Sequence, residues 1–302
     1  MEGSGRGDRV SVQPRIGVVI ATRDRREALQ QTLARVAALP ERPPVVVVDN
    51  GSRDGTPSAV REAFPDVQVI ELARDRGAGA RNAGVERIAT PYVAFLDDDS
   101  WWVPDALTRA VDVLDRHPRV AVLAARVLVG EEARLDPVCE AMERSPLPVE
   151  VTEPGPAVLG FVACGAVVRR DAFLAVGGFD ERYGFGGEEQ PVAVRLASAG
   201  WELRYVREVV ARHHPTHSPT RAGRVARALR NDLWTAWSSR RGTGVLRATW
   251  RLVRSAGWRR STLAGVAGAL RGGPGIARRR RPASWGVEQG LRLLDRHGDR
   301  AL

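Results

Sequence analysis

The sequence predicts an α/β protein: a doubly wound, mostly parallel sheet flanked by helices, followed by a basic α-helical C-terminal extension. Three observations predict it. Continuous apolar runs of strand length alternate with stretches of helical periodicity through the first hundred residues, as in parallel strands covered on both faces. Each run ends in a loop rich in Gly, Asp and Arg, where open α/β sheets hold their ligands. The charge also divides. From Pro219 to the end there are 19 Arg against 4 acids, a net of +15, whereas the preceding 218 residues hold 27 Arg against 32 acids.

The elements follow in order. Residues 1–14 are polar and Gly-rich, a disordered lead-in without the apolar core of a signal peptide. Ile16 to Ala21 is a first buried strand, and Glu27 to Leu39 a helix with Leu29, Leu33 and Val36 on one face. Pro43 and Pro44 close that unit. Val45 to Val48 is a second strand, ending in the turn-rich loop Asp49 to Thr56. Pro57 to Phe64 is a short helix, Val67 to Leu72 a third strand, and Ala80 to Ile88 a helix after a Gly/Arg loop. A fourth strand, Val93 to Leu96, delivers three adjacent carboxylates, Asp97, Asp98 and Asp99. Residues 15–218 form one α/β unit with a nucleotide half to about residue 105 and an acceptor half beyond it; 219–302 form the extension.

Composition narrows the setting. All 46 basic residues are arginine. Cys139 and Cys164 supply neither a disulfide framework nor metal-ligand spacing, and fit small core residues in a reducing compartment. No apolar run reaches the roughly 18 residues that span a bilayer, so a cytoplasmic protein is expected.

The strand ends carry the chemistry. Three packed carboxylates repel one another unless a cation sits among them, and hard divalent ions bridge carboxylates to substrate phosphates. Thr22-Arg23-Asp24-Arg25 follows the first strand, and Asp49 ends the second, where an acid can hold a ribose or base. The loop Asp75 to Asn82 offers Gly77 and Gly79 for close backbone approach and Arg76 and Arg81 for phosphate. Neither a Walker loop nor a full dinucleotide fingerprint is present. A metal-bound nucleoside diphosphate fits better.

Taken together, Ile20 to Arg25, Val46 to Ser52 with Asp54-Gly55-Thr56, Gly79 to Gly84, and Phe95 to Asp99 resemble the family 2 glycosyltransferases of the GT-A fold. Gly165 to Arg170, Gly177 to Glu181, Gly187-Glu188-Glu189, Arg195 and Ala199-Gly200-Trp201 continue the resemblance, which covers about residues 15–215. It implies an inverting, metal-dependent transferase (Mn²⁺ or Mg²⁺) that moves a sugar from a nucleotide-diphosphate donor to a hydroxyl acceptor, lipid-linked among the candidates. Donor binding then falls to Thr22, Arg23, Asp49, Arg76, Gly79, Arg81, Asn82, Asp97 and Asp98. Asp97 and Asp99 form the Asp-X-Asp motif, with Asp99 the direct metal ligand and Asp97 or Asp98 nearer the ribose. Glu189 stands where the family usually has an aspartate base; the Glu188-Glu189 pair leaves open which one reaches the acceptor. His213 or His214 approaches the metal, and Trp101, Trp102, Gly178 and Phe179 face the acceptor.

Inversion needs one base beside the acceptor and charge neutralisation at the departing diphosphate. Two other classes are weighed against this. A sugar-nucleotide nucleotidyltransferase would want a Gly-rich, basic loop where Ala21-Thr22 stands; a non-catalytic membrane or polyanion binder would leave the aligned acids unexplained. In the extension, Val225, Leu229, Leu233 and Trp237 recur every fourth residue, with Trp234 beside them, and Arg278 to Arg281 form a cluster. Basic amphipathic helices with Trp suit an anionic membrane surface or a lid on the catalytic body. Only charge suggests nucleic acid, so none is expected.

Overall fold

The computed structural model describes residues 13–215, 221–257 and 259–298; the lead-in before residue 13, His217, the Pro219 boundary and Trp258 lie outside them. The first half is the predicted alternation: β1 (Ile16–Thr22), α1 (Arg26–Ala37), β2 (Val45–Asp49), α2 (Thr56–Ala63), β3 (Gln68–Glu71), α3 (Ala80–Arg87) and β4 (Tyr92–Asp97). Then come β5 (Ser100–Trp102), α4 (Ala106–Arg116), β6 (Val120–Val129), β7 (Arg134–Leu135), α5 (Pro137–Glu143), β8 (Ala166–Arg169), α6 (Arg170–Ala175), α7 (Glu189–Ser198) and β9 (Glu202–His213).

The strands form one sheet in the order β3-β2-β1-β4-β8-β6-β9-β5, with β7 paired to β6. The pairings make six strands run in one sense and β5, β7 and β8 in the other. Both faces are covered, which is why the strands read as unbroken apolar runs. Val19, Val46, Val93 and Phe95 face one core, with Val85 of α3 and Phe173 of α6. Val18, Ile20, Val47 and Leu96 face the other, with Leu29, Leu33 and Val36 of α1, the face predicted for that helix. The parallel register sets Thr22 beside Asp49 and Ala21 beside Asp97, so the polar groups that end each run gather along one edge of the sheet.

The extension is α8 (Arg221–Ser239), α9 (Thr243–Ala256), α10 (Arg260–Ala277) and α11 (Trp285–His297). It packs on the α/β body: Leu229, Leu233 and Trp234 of α8 bury against Tyr183, Ala269 and Ile276, and Leu291 and Leu294 of α11 join the core beneath α7. The Trp-bearing face of α8 is therefore a packing face, not a membrane face. Glu288 of α11 is fully buried and accepts hydrogen bonds from Arg240, Arg292 and the Arg241 amide, pinning α11 to the end of α8.

Candidate active site

The three acids that end β4 have three different surroundings. Asp98 turns inward: Thr22 Oγ1 donates to its Oδ2 at 2.8 Å, and Arg25 Nε lies 3.0 Å from its Oδ1. Burial pushes its pKa up to about 6 against the pull of Arg25 and Thr22. Asp99 Oδ2 accepts from Arg25 at 2.7 Å, and its Oδ1 lies 3.3 Å from His213 Nε2. Asp97 pairs with Arg81, while its amide donates to Ser100 Oγ at 2.8 Å and closes the turn.

His213 is the last residue of β9, opposite Ser100, and points at these acids. Burial lowers its pKa, but the Asp99 hydrogen bond and the charges of Asp97 and Asp99 outweigh it, and the net shift is upward. Ligand atoms of Asp97, Cys164 and His213 lie within 4.8 Å of one another. Burial holds the Cys164 thiol far above its ordinary pKa, so it is a neutral, soft donor. The carboxylates and imidazole that remain suit a hard or borderline cation such as Mn²⁺. His214 points the other way and packs at a 52° tilt against Trp101, with ring centroids 4.8 Å apart; Arg35 covers that indole at 3.8 Å.

Asp49 is 2 % exposed. Its Oδ2 accepts from the Ser52 amide at 2.9 Å, but its Oδ1 is buried without a partner. Buried acceptors are rarely left so, and this oxygen can accept one more hydrogen bond. Asn50 beside it fastens the next loop, donating to Asp75 and Gly77 and accepting from the Arg76 amide at 2.7 Å. That loop's glycines serve contacts within the chain. Gly77 has φ +53° and a Cβ there would lie 2.5 Å from Gly184; one at Gly79 would lie 2.8 Å from Glu181. Arg76 pairs with Glu181 at 2.9 Å, and Arg23 with Asp24 and Asp75.

Behind Asp97 lies a buried ionic cluster. Arg81, 2 % exposed, pairs with Asp97, and its Nη1 is 4.0 Å from Glu188. Burial opposes its charge, but Asp97, Glu188 and Glu189 raise its pKa on balance. Glu188 stands directly before α7 without a capping side-chain hydrogen bond, and is 4 % exposed. Burial and then Glu189 push it up to about 8, while Arg81 pulls it down. Glu189 opens α7 with its Oε1 3.3 Å from the Ala163 amide; burial raises its pKa too, against that amide and Arg81.

The predicted residues thus divide. Thr22, Asp49, Asp97, Asp98, Asp99, Arg81, Glu188, Glu189 and His213 converge. Asn82 instead holds the Phe179 backbone, donating to its carbonyl at 2.8 Å and accepting from its amide at 2.9 Å. Gly178 has φ +56° and fits beneath that side chain. Phe179 lies among the rings of Phe95, Phe173 and Phe161, and Trp102 is a core residue at 1 % exposure. Of the aromatics expected at the acceptor, only Trp101 is part-exposed, and Arg35 and His214 lie against its ring. Arg25, which contacts both Asp98 and Asp99, is marked in the sequence only by its place directly before α1, whereas Arg23 pairs with Asp24 and Asp75.

This fold and these residues define a glycosyltransferase, and the chain belongs to glycosyl transferase family 2, whose sequence model matches residues 17–177. It is 31% identical over 230 residues to the N-acetylglucosaminyl-diphospho-decaprenol L-rhamnosyltransferase of Mycobacterium tuberculosis, covering 64% of this chain and 74% of that protein. It is 30% identical over 251 residues to the validoxylamine A glucosyltransferase of Streptomyces hygroscopicus subsp. limoneus, covering 68% and 53%. In fold it is similar to the mannosyltransferase PcManGT from Pyrobaculum calidifontis, solved in complex with GDP-Man and Mn²⁺, with a TM-score of 0.59 and 20% identity over 96% of this chain and 83% of that one.

Proposed function

We propose that the protein is an inverting transferase that moves a sugar from a nucleoside-diphosphate donor to a hydroxyl of a lipid-linked acceptor, working at the cytoplasmic face of a membrane. The observation that carries the donor side is the gathering of Asp97, Asp99 and His213 beside the unpartnered Oδ1 of Asp49. Asp49 receives a hydrogen bond from the base or ribose. Asp97, Asp99 and His213 hold a divalent cation, and Asp98, tied to Thr22 and Arg25, braces the turn that presents them. When bound, the cation supplies positive charge to the departing diphosphate.

On the opposite side Glu189 takes the proton from the acceptor hydroxyl. It opens a helix and keeps some exposed surface, and the raised pKa of the Glu188-Glu189 pair brings proton affinity toward neutral pH, where general bases are most effective. Arg81 links the two sides, pairing with Asp97 and favouring the charged form of the Glu188-Glu189 pair.

The membrane part of the reading rests on α9 and α10. No helix among the described residues is long and apolar enough to cross a membrane. Leu246 and Trp250, 73% and 68% exposed, stand one turn apart on α9, and Leu263 and Leu270 are exposed on α10. Arg247, Arg254 and Arg271 flank them, an apolar and cationic mixture suited to an anionic leaflet. Free, buried Cys139 and Cys164 accord with a reducing compartment. The whole reading is tested by incubating the protein with a panel of nucleotide sugars and prenyl-diphosphate-linked acceptors, with and without Mn²⁺. Metal-dependent transfer with inverted anomeric configuration is expected; diphosphate-dependent nucleotide exchange without transfer would contradict it.

A further inference from the structure

The C-terminal helices and the α/β body enclose a second cleft of about 640 Å³, lined by none of Asp49, Asp97, Asp98, Asp99, Glu188, Glu189 or His213. It lies between the 176–183 loop, the start of α7 and the ends of α8 and α10, and seven arginines line it against two acids. Both acids are already engaged, Asp180 by Arg182 and Glu181 by Arg74 and Arg76. Arg195, on the inner wall, donates to the carbonyls of Val176 and Gly178; burial first, then Arg281 and Arg182, lower its pKa against the pull of Asp180. Arg280 donates to the Arg240 carbonyl at 2.7 Å. Among the described residues no carboxylate pairs with Arg278, Arg279 or Arg281, and their guanidinium groups make no hydrogen bond to protein.

Cations crowded in a concave site focus positive potential and call for a counter-anion. Guanidinium forks match phosphate oxygens two at a time, and one doubly charged phosphate would leave most of these forks unmatched. Ile276, Tyr183 and Phe179 line part of the cleft but are each only 2 % exposed, so recognition falls to the arginines and an organic group on the anion extends out of the cleft. We propose that this cleft binds a diphosphate-bearing ligand at a site separate from the donor metal site. The diphosphate can belong to a prenyl-linked acceptor or be free, and the two are separable by experiment.

The test is calorimetric titration of the full chain in EDTA, which silences metal-dependent donor binding, with inorganic diphosphate and with geranyl diphosphate. Arg279→Ala/Arg281→Ala, which removes two exposed side chains, should weaken binding by about tenfold or more. Asp99→Asn, and Arg271→Ala on the outer face of α10, should leave it unchanged. Tighter binding of geranyl diphosphate marks the acceptor as the source; equal binding marks a free diphosphate. The proposal is overturned if neither probe binds at millimolar concentration. It is equally overturned if Asp99→Asn abolishes binding while the double variant retains it, or if Arg271→Ala weakens it as much as the double variant does.

Discussion

Replacing Arg81 by Met keeps the stem in its buried slot and removes the charge between donor acid and base. Arg81 Nη1 lies 4.0 Å from Glu188, and two unit charges at that distance interact by about 4 kcal/mol at an effective dielectric constant near 20. That is an upper bound of about three decades in proton affinity; sharing of the proton with Glu189 spreads the effect over the pair. The sign is fixed. Arg81 favours the carboxylate, so its loss raises a pKa already pushed to about 8 at Glu188. A base works deprotonated, so the ascending limb of the kcat profile, measured at saturating donor, should move to higher pH by at least about one unit. Breaking a buried ion pair costs roughly 3–5 kcal/mol. The lower end applies here, because Asp97 is 35% exposed and rehydrates. Circular dichroism should therefore still report a folded protein. An ascending limb that stays in place, in a folded variant, would refute the coupling of Arg81 to the base.

Three further outcomes are expected. Glu189→Gln should lower kcat by about 10²- to 10⁴-fold with donor affinity nearly unchanged; if Glu188→Gln is the crippled variant instead, the two roles are exchanged. Glu288→Gln leaves Arg240 and Arg292 without their shared carboxylate, and should lower Tm by roughly 5 °C or more in a calorimetric scan. Its folded pKa lies below the ordinary value because the Arg241 amide, Arg240 and Arg292 outweigh burial. That stability is present above the unfolded pKa and lost as pH falls through the folded one, so wild type and variant should converge in acid. Cosedimentation with anionic liposomes should be strong at low salt and fall as salt rises, and Leu246→Ser/Trp250→Ser should weaken it; undiminished binding by that variant would remove α9 from the contact.

The nucleotide half of the fold was legible because its strands are buried on both faces and its units are sequential. β1 and β2 read directly as Val- and Ile-rich runs and β4 as a short apolar one, and the acids fall where those runs stop. The second half was not. β8 sits between β4 and β6 through pairings dozens of residues apart in sequence, and a short run such as Ala166 to Arg169 does not announce its neighbour. The extension's helices were legible as amphipathic, but periodicity does not say what a face packs on: α8 turned inward onto Tyr183 and Ala269, leaving α9 and α10 with exposed apolar residues. At the site, the sequence pointed to Asp49, Asp97 and Asp99 and to either His213 or His214, of which His213 lies against Asp99, whereas Asn82, Phe179 and Trp102 carry polar or aromatic groups that pack within the chain. Cys164, beside Asp97 and His213, has no distinguishing sequence context; only the fold brings it there.

Binding of nucleoside diphosphates bears on the donor site more closely than any turnover assay, since it needs no acceptor. Thermal shift and calorimetry with UDP, GDP and dTDP, with Mn²⁺ or EDTA, should yield one nucleotide that binds the wild type only with metal. Asp99→Asn should lose that binding while keeping the wild-type fold, with a small loss of metal-free Tm because Arg25 and His213 lose a charged partner. Mn²⁺-dependent binding that persists undiminished in Asp99→Asn would contradict the assignment of the strand-end acids as the metal and donor site.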